Sequence, residues 1–183
     1  MAGLKPHRRP VEIVYRSGYV LQTLGLLALF LARDSSRLDS IASVAGYFLI
    51  TAGVLVSGWL LQVYMREVKV IVLAAAAAGV ALQVTGIATG ATHLIPLGLG
   101  FMFVGSCGLV GKEAYCFRFK EGWWLMPVLA VLTLALYIQH SAGHPTLAAQ
   151  ISSAIALALF ASFTIRKFKM PYYGGCGSSG DKE

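Results

Sequence analysis

From Ile41 to Tyr64 the chain carries no formally charged side chain. About 20 mostly apolar residues suffice to cross ~30 Å of hydrocarbon as a helix rising ~1.5 Å per residue. This stretch alone therefore points the chain to a bilayer. Five others meet the same test: Ile13 to Ala32, Val70 to Gly90, Leu94 to Gly111, Trp124 to Gln139 and Thr146 to Ile165. Pro96 falls in the first turn of its span, where a missing N–H does no harm. Composition agrees. Of 183 residues, 57% are hydrophobic and 13% charged, with a mean hydropathy of +0.70, whereas a soluble domain carries about 25% charged residues. A disordered chain, a disulfide scaffold and an ordinary soluble enzyme are excluded.

The expected fold is all-α: a polytopic, compact bundle of six transmembrane helices. Its connections are short, which makes successive spans antiparallel neighbours. No loop is long enough for a soluble domain, and no tandem period stands out beyond three helical hairpins. Residues 1–12 read as a basic N-terminal segment, 13–166 as the membrane domain and 167–183 as a flexible Gly/Ser-rich tail. The start MAGLKPHRRP imitates a secretory signal, but no small-x-small cleavage site stands before Arg33, so the first span reads as an uncleaved helix.

Orientation follows from Lys and Arg in the loops. Lys5, Arg8, Arg9, Arg16, Arg66, Lys69, Lys112, Arg118, Lys120, Arg166, Lys167, Lys169 and Lys182 fall on one side, and only Arg33 and Arg37 on the other. Asp34 and Asp39 offset those two, so the whole net charge of +7 lies on one face. The positive-inside rule places that face and both termini in the cytoplasm, as for a multi-pass protein of a bacterial cytoplasmic membrane or an internal membrane derived from it. The basic excess is thus a topology signal and a head-group anchor, with no nucleic-acid partner implied.

Helices in lipid associate through close packing and polar contacts. The third span supplies Ala74 to Ala78 and Gly86-x-x-x-Gly90, and the fourth Gly98, Gly100, Gly105, Gly108 and Gly111. Gly86, Gly90, Gly98, Gly100, Gly105 and Gly108 are the expected packing positions, joining these two helices at the bundle's centre. No Asp, Glu, Lys or Arg lies near the middle of a span, which counts against an ion-coupled transporter. Gln22, Gln62, Gln83, Gln139 and Gln150 are read as interhelical hydrogen-bonding residues, with a polar pathway as the alternative.

Chemistry is sparse. His93, His140 and His144 fall on the side away from the basic loops, and two imidazoles four residues apart share a helix face where the helix persists. A site for copper, zinc or haem iron is one reading; histidines capping helix ends and bonding to head groups is the other. Otherwise no cofactor is evident. Cys107, Cys116 and Cys176 show no C-x-x-C spacing, and no structural disulfide is expected on a reducing face. No Ser/His/Asp set, carboxylate pair, phosphate loop or H-E-x-x-H marks a catalytic site. The most distinctive stretch is the connection GKEAYCFRFKEGWW, residues 111–124. It interleaves Lys112, Glu113, Arg118, Lys120 and Glu121 with Tyr115, Phe117, Phe119, Trp123 and Trp124, the pattern of a lipid-interface belt or of a surface for another subunit. Lys112 and Glu113, at the edge of the span, are also placed to form a partly buried pair or to bond to freed backbone.

In this stretch, LVGKEAYCFRFKEGWWLMPVL, the sequence resembles a family of bacterial and cyanobacterial integral membrane proteins known as domain of unknown function 2301. The block is similar to the family's K-E-A-[FY]-C-F, carried by Lys112, Glu113, Ala114, Cys116 and Phe117. IRKFKMP (residues 165–171) and the tail GDKE add further similarity. The resemblance covers about the C-terminal half and implies a polytopic membrane protein, with no activity or catalytic residue attached. The expected role is a non-catalytic accessory, stabilising or assembly subunit of a larger membrane complex of bioenergetic type, such as an oxidase, a monooxygenase or a photosynthetic complex. Its partners are then lipids and other membrane subunits. A small transporter and a metal- or haem-binding protein are the alternatives.

Overall fold

A computed structural model describes residues 9–32, 41–61 and 66–170. Several residues singled out above lie outside that set: the N-terminal basic cluster up to Arg8, the loop with Arg33, Asp34, Arg37 and Asp39, Gln62, Cys176 and the tail from residue 171. Six α-helices make up the rest: α1 (Arg9–Leu31), α2 (Ile41–Trp59), α3 (Arg66–Thr89), α4 (Leu94–Phe117), α5 (Lys120–Ala142) and α6 (Leu147–Lys169). All six are long and apolar enough to cross a membrane, and no strand occurs among the described residues.

Helix ends follow their local chemistry. Gly90 and Gly143 take positive φ (70° and 69°) just past α3 and α5, and the Gly143 N–H donates to Gln139 O at 3.1 Å. Thr146 caps α6, its Oγ1 accepting from the Ala149 N–H at 3.3 Å. Several helices run past the apolar spans that hydropathy marks, and two of these boundaries matter for the site. Instead of ending at Gly111, α4 runs on to Phe117, and α5 begins at Lys120 rather than Trp124. The expected connection 111–124 is thereby almost all helix, with Arg118 and Phe119 as its link. Charged residues end a hydrophobic run, but they do not end a helix when their charges find partners. Gly90 is also reassigned: a Cβ there would meet nothing within 4 Å, so it terminates α3 and packs against no helix.

The helices α1, α2, α4, α5 and α6 close a ring of neighbours, while α3 lies outside it against α4 and α2. The best-buried span is α4, with half of its apolar window inside, against 28% for α3. The pair α3–α4 is close-packed, but only α4 is central. Fully buried in the bundle are Tyr19, Leu26, Leu99, Leu109, Leu125, Leu129, Phe160 and Phe163, and Met102 of α4 is buried against Gly79 of α3.

Hairpins α1–α2 and α3–α4 repeat one another, a relation closer than the plain succession of three helical hairpins expected from the sequence. GYVLQTLG (residues 18–25) in α1 corresponds to GVALQVTG (residues 79–86) in α3, and GYFLITAG (46–53) in α2 to ATHLIPLG (91–98) across the start of α4. The contacts correspond too. A Cβ on Gly53 would stand 2.5 Å from Gly18 O and 2.7 Å from Gln22 Cγ; one on Gly98 would stand 2.7 Å from Gly79 O and 2.8 Å from Gln83 Cγ. Seven residues along, Gly25 faces Ile50 and Gly46 O, and Gly86 faces Ile95 and Ala91 O. Four letters, G-x-x-L-Q-x-x-G, thus set both crossings. Small residues let the backbones touch, and the glutamine stem fills the space beside them.

Candidate functional site

The feature that stands out is a carboxylate with no exposed surface, placed where α1, α4 and α6 meet. Extending α4 past Gly111 brings Glu113 inside the bundle, four residues before the helix ends. Lys112 Nζ lies 3.0 Å from Glu113 Oε1, and Lys167 Nζ of α6 lies 2.6 Å from Oε2. The Tyr15 hydroxyl of α1 donates to Oε1 at 2.8 Å and is itself 2.8 Å from the Tyr19 hydroxyl. Lys167 also sits 4.6 Å above the Phe117 ring. A charge removed from water is costly unless it is paired and hydrogen-bonded, and this one has two ammonium partners and a phenol.

Arg16 extends the cluster. Buried itself, it pairs with Glu12 one turn earlier at 2.9 Å. Its Nη1 donates to Lys167 O at 2.9 Å and Met170 O at 3.0 Å, satisfying carbonyls at the end of α6 that the helix leaves open. Three cations, Lys112, Lys167 and Arg16, thus face two carboxylates, Glu113 and Glu12. Chemically this is a clasp: it fixes the end of α6 to α1 and α4, and no external substrate reaches the Glu113 carboxylate in this conformation.

A second, uncharged layer lies deeper. Ser106 donates to Gln22 Oε1 at 2.7 Å, linking α4 to α1, and Thr51 donates to Gln83 Oε1 at 3.2 Å, linking α2 to α3. The Gln22 Nε2 bonds to Gly18 O at 3.3 Å, whereas Gln83 Nε2 is buried without a partner. Thr23 and Thr164 join α1 to α6 at 3.0 Å. The Gln139 side chain accepts from the Thr146 N–H at 3.4 Å within the α5–α6 turn, so it is a local bond rather than an interhelical one.

The other expected sites divide. Among the nine residues assigned to an outward interface, Tyr115, Arg118, Lys120, Trp123 and Trp124 are exposed, while Lys112 and Phe117 are half-buried. Phe119 points inward, which corrects its reading: it lies edge-on to Phe163 with ring centroids 5.6 Å apart. Glu113 forms the pair with Lys112 that its place at the span's edge allowed, but it is fully buried in the clasp rather than part of an outward surface. Gly98, Gly86, Gly100, Gly105 and Gly108 each abut a neighbouring helix, Gly100 against Thr133 of α5 and Gly108 against Val72 of α3.

The histidines do not assemble a ligand set. His140 Nε2 lies 3.2 Å from Thr92 Oγ1, His144 Nδ1 lies 3.4 Å from Pro145 O, and His93 is exposed just before α4. Among the described residues no three His, Cys, Asp or Glu side chains are grouped to hold a metal. Cys107 is a free thiol. Cys116, contrary to expectation, is in a disulfide.

Sequence reasoning passed over Tyr15, Arg16, Tyr19 and Lys167. The signal was present: Glu12, Tyr15, Arg16 and Tyr19 recur at i, i+3, i+4 and i+7, one face of an otherwise apolar helix. Along the chain Arg16 and Lys167 register only as topological charges, and their partners Glu12 and Glu113 become evident in space.

A model of the family described as "Uncharacterized integral membrane protein (DUF2301)" matches residues 56–182, taking in α3 to α6 with Glu113 and Lys167. No curated protein and no solved structure matches the chain.

Proposed function

We propose, from the premise that this chain belongs to the DUF2301 family of uncharacterised integral membrane proteins, that it is a non-catalytic accessory or assembly subunit of a larger membrane complex. The observation that carries this reading is the bare face of α3. In the first repeat, Arg16, Tyr19, Thr23 and Leu26 of α1 form the face that receives α6 or lies buried beside it. The corresponding residues of α3 are Ala77, Val80, Val84 and Ile87, and there Val84 is 58% and Ile87 72% exposed. One copy of the unit is covered by a helix of this chain; in the other, Val80 packs against the core while Ala77, Val84 and Ile87 stay exposed, open to a helix from elsewhere. The host is a multi-subunit membrane assembly of bioenergetic type, and the basic end of the bundle faces the cytoplasm, as its Lys and Arg excess supports.

Purification of the tagged protein in mild detergent, with photo-crosslinkers at Val84 and Ile87, tests this. A stoichiometric crosslink to one membrane protein, lost on Val84→Trp, is expected. A protein that always runs alone and never crosslinks from α3 overturns it.

One observation favours a second reading, a small carrier: the orphaned Gln83 Nε2 is a donor at membrane depth. Solute flux in proteoliposomes that Gln83→Leu abolishes would favour it over the subunit.

A further inference from the structure

Three helix ends in the described chain turn through a left-handed residue. Two of them use glycine, at Gly90 and Gly143; the third, between α4 and α5, uses Arg118 with φ 54° and ψ 38°. The left-handed conformation crowds any Cβ, and glycine is its ordinary occupant. A turn needed only for its shape would be better served by the residue that this chain uses twice elsewhere. Arginine at such a position points to a task for the side chain.

The surroundings say which task. The Arg118 side chain is exposed, and among the described residues no acid pairs with it. Lys120, two residues on, is exposed as well, and Trp123 and Trp124 follow it by three and four residues, on the same side of α5, at 57% and 69% exposure. Arg166 and Lys169, both exposed, lie on the last turn of α6, and Arg166 reaches over the buried Phe119 ring at 5.0 Å. Glu121 is already held by Arg166 at 2.6 Å. The patch is therefore cationic, with indole rings beside it at the end of a membrane span. Indoles lodge at head-group level. The planar guanidinium fork matches the paired oxygens of a phosphate diester, which a lysine binds only as a point charge.

We propose that the α4–α5 turn is a binding site for the head group of an anionic phospholipid, with Arg118 on the phosphate, Lys120 beside it, and Trp123 and Trp124 against the glycerol and upper acyl chains. The lipid's negative charge complements the patch. It also gives a reason for keeping an arginine in the left-handed cap of α4, where its side chain is exposed at the basic end of the bundle.

Native mass spectrometry and melting of the full-length protein in neutral detergent, titrated with phosphatidylglycerol or with phosphatidylcholine, provide the test. Phosphatidylglycerol is expected to stay bound and to raise the melting midpoint at concentrations about tenfold lower than phosphatidylcholine. Arg118→Gly should shift the two readouts in opposite directions. The midpoint without lipid should rise, because glycine fits the turn, while the preference for phosphatidylglycerol disappears. Arg118→Asn, which also tolerates the conformation, should lose the preference too, whereas Arg118→Lys should keep part of it. Equal responses to the two lipids in the wild type overturn the site, as does a preference that survives Arg118→Gly. A lipid-free midpoint that falls in both Arg118→Gly and Arg118→Asn would make Arg118 a structural residue. A full response to inorganic phosphate alone would assign the patch to a free anion and overturn the lipid reading.

Discussion

Hairpins α1–α2 and α3–α4 cross by the same rule and end in different places. Gly18 and Gln22 on Gly53, and Gly79 and Gln83 on Gly98, form contacts with closely matching distances. Yet α1 sits in the ring beneath α6, while α3 lies outside it. The difference is in the face turned away from the hairpin partner. On α1 that face bears Glu12, Arg16, Tyr19 and Leu26; at the same places α3 has Leu73, Ala77, Val80 and Ile87. Backbone packing through glycine makes a hairpin, but it does not say where the hairpin goes. In lipid, where one apolar surface is as good as another, position is set by groups that lipid cannot satisfy. Tyr15 and Arg16 need Glu113 and the end of α6, and these pull α1 inside. The α3 face holds nothing of that kind, so a helix from elsewhere would be held there by close van der Waals packing alone.

The sharpest way to break this comparison is Glu113→Gln. Lys167, with 4% side-chain exposure, would lose its counter-ion, and loss of one partner from a buried pair costs about 3–5 kcal/mol. Unfolding in a detergent titration should show that loss. Hydrogen exchange should show it confined to the ends of α1, α4 and α6, with the α3–α4 crossing unchanged. Glu113→Gln combined with Lys167→Gln should recover part of it. Exchange that quickens equally in α3 would mean that the clasp does not distinguish the two hairpins.

The next effect tests the likeness rather than the difference. Gly53→Ala would drive a methyl to 2.5 Å from Gly18 O, and Gly98→Ala one to 2.7 Å from Gly79 O. Both neighbours are backbone, which cannot rotate aside, so each helix pair must spread, at a cost of about 1–3 kcal/mol. Measured in the same titration, the two losses should agree to within about 0.5 kcal/mol. A harmless Gly98→Ala beside a damaging Gly53→Ala would reduce the repeat to a coincidence of letters.

That the repeat escaped a reading of the sequence has a physical cause. Hydropathy reports what lipid accepts, and by that measure all six spans look alike, so their existence was legible while their order around the bundle was not. G-x-x-L-Q-x-x-G is four letters in eight, too few to separate from the background of a glycine-rich chain until both copies meet a glycine across the crossing. Glu113 failed for the opposite reason. A charge beside an apolar run looks like the start of a loop, and only its partners, 98 residues away in Tyr15 and 54 away in Lys167, make it part of a helix. The histidines read as a cluster because spacing along the chain was the only distance available; in space His140 faces Thr92 and His144 its own neighbour.

The smallest effect separates the two glutamines, which the repeat makes equivalent and the packing does not. Gln22 has both ends occupied, by Ser106 and by Gly18 O. Gln22→Leu leaves the buried Ser106 hydroxyl without its acceptor. Polar contacts between membrane helices average about 0.6 kcal/mol and reach about 1.7, and this one, short and fully buried, belongs near the upper value. Gln83 has one bond, to Thr51 at 3.2 Å, and one buried nitrogen with no partner. Gln83→Leu surrenders a weak contact and removes an unsatisfied donor, two effects of opposite sign, so the net change should fall within about 0.5 kcal/mol of zero. Detergent unfolding of the two variants side by side gives the difference directly. A costly Gln83→Leu would mean that its Nε2 has a partner in the membrane, and that the outer hairpin is held by more than its glycines.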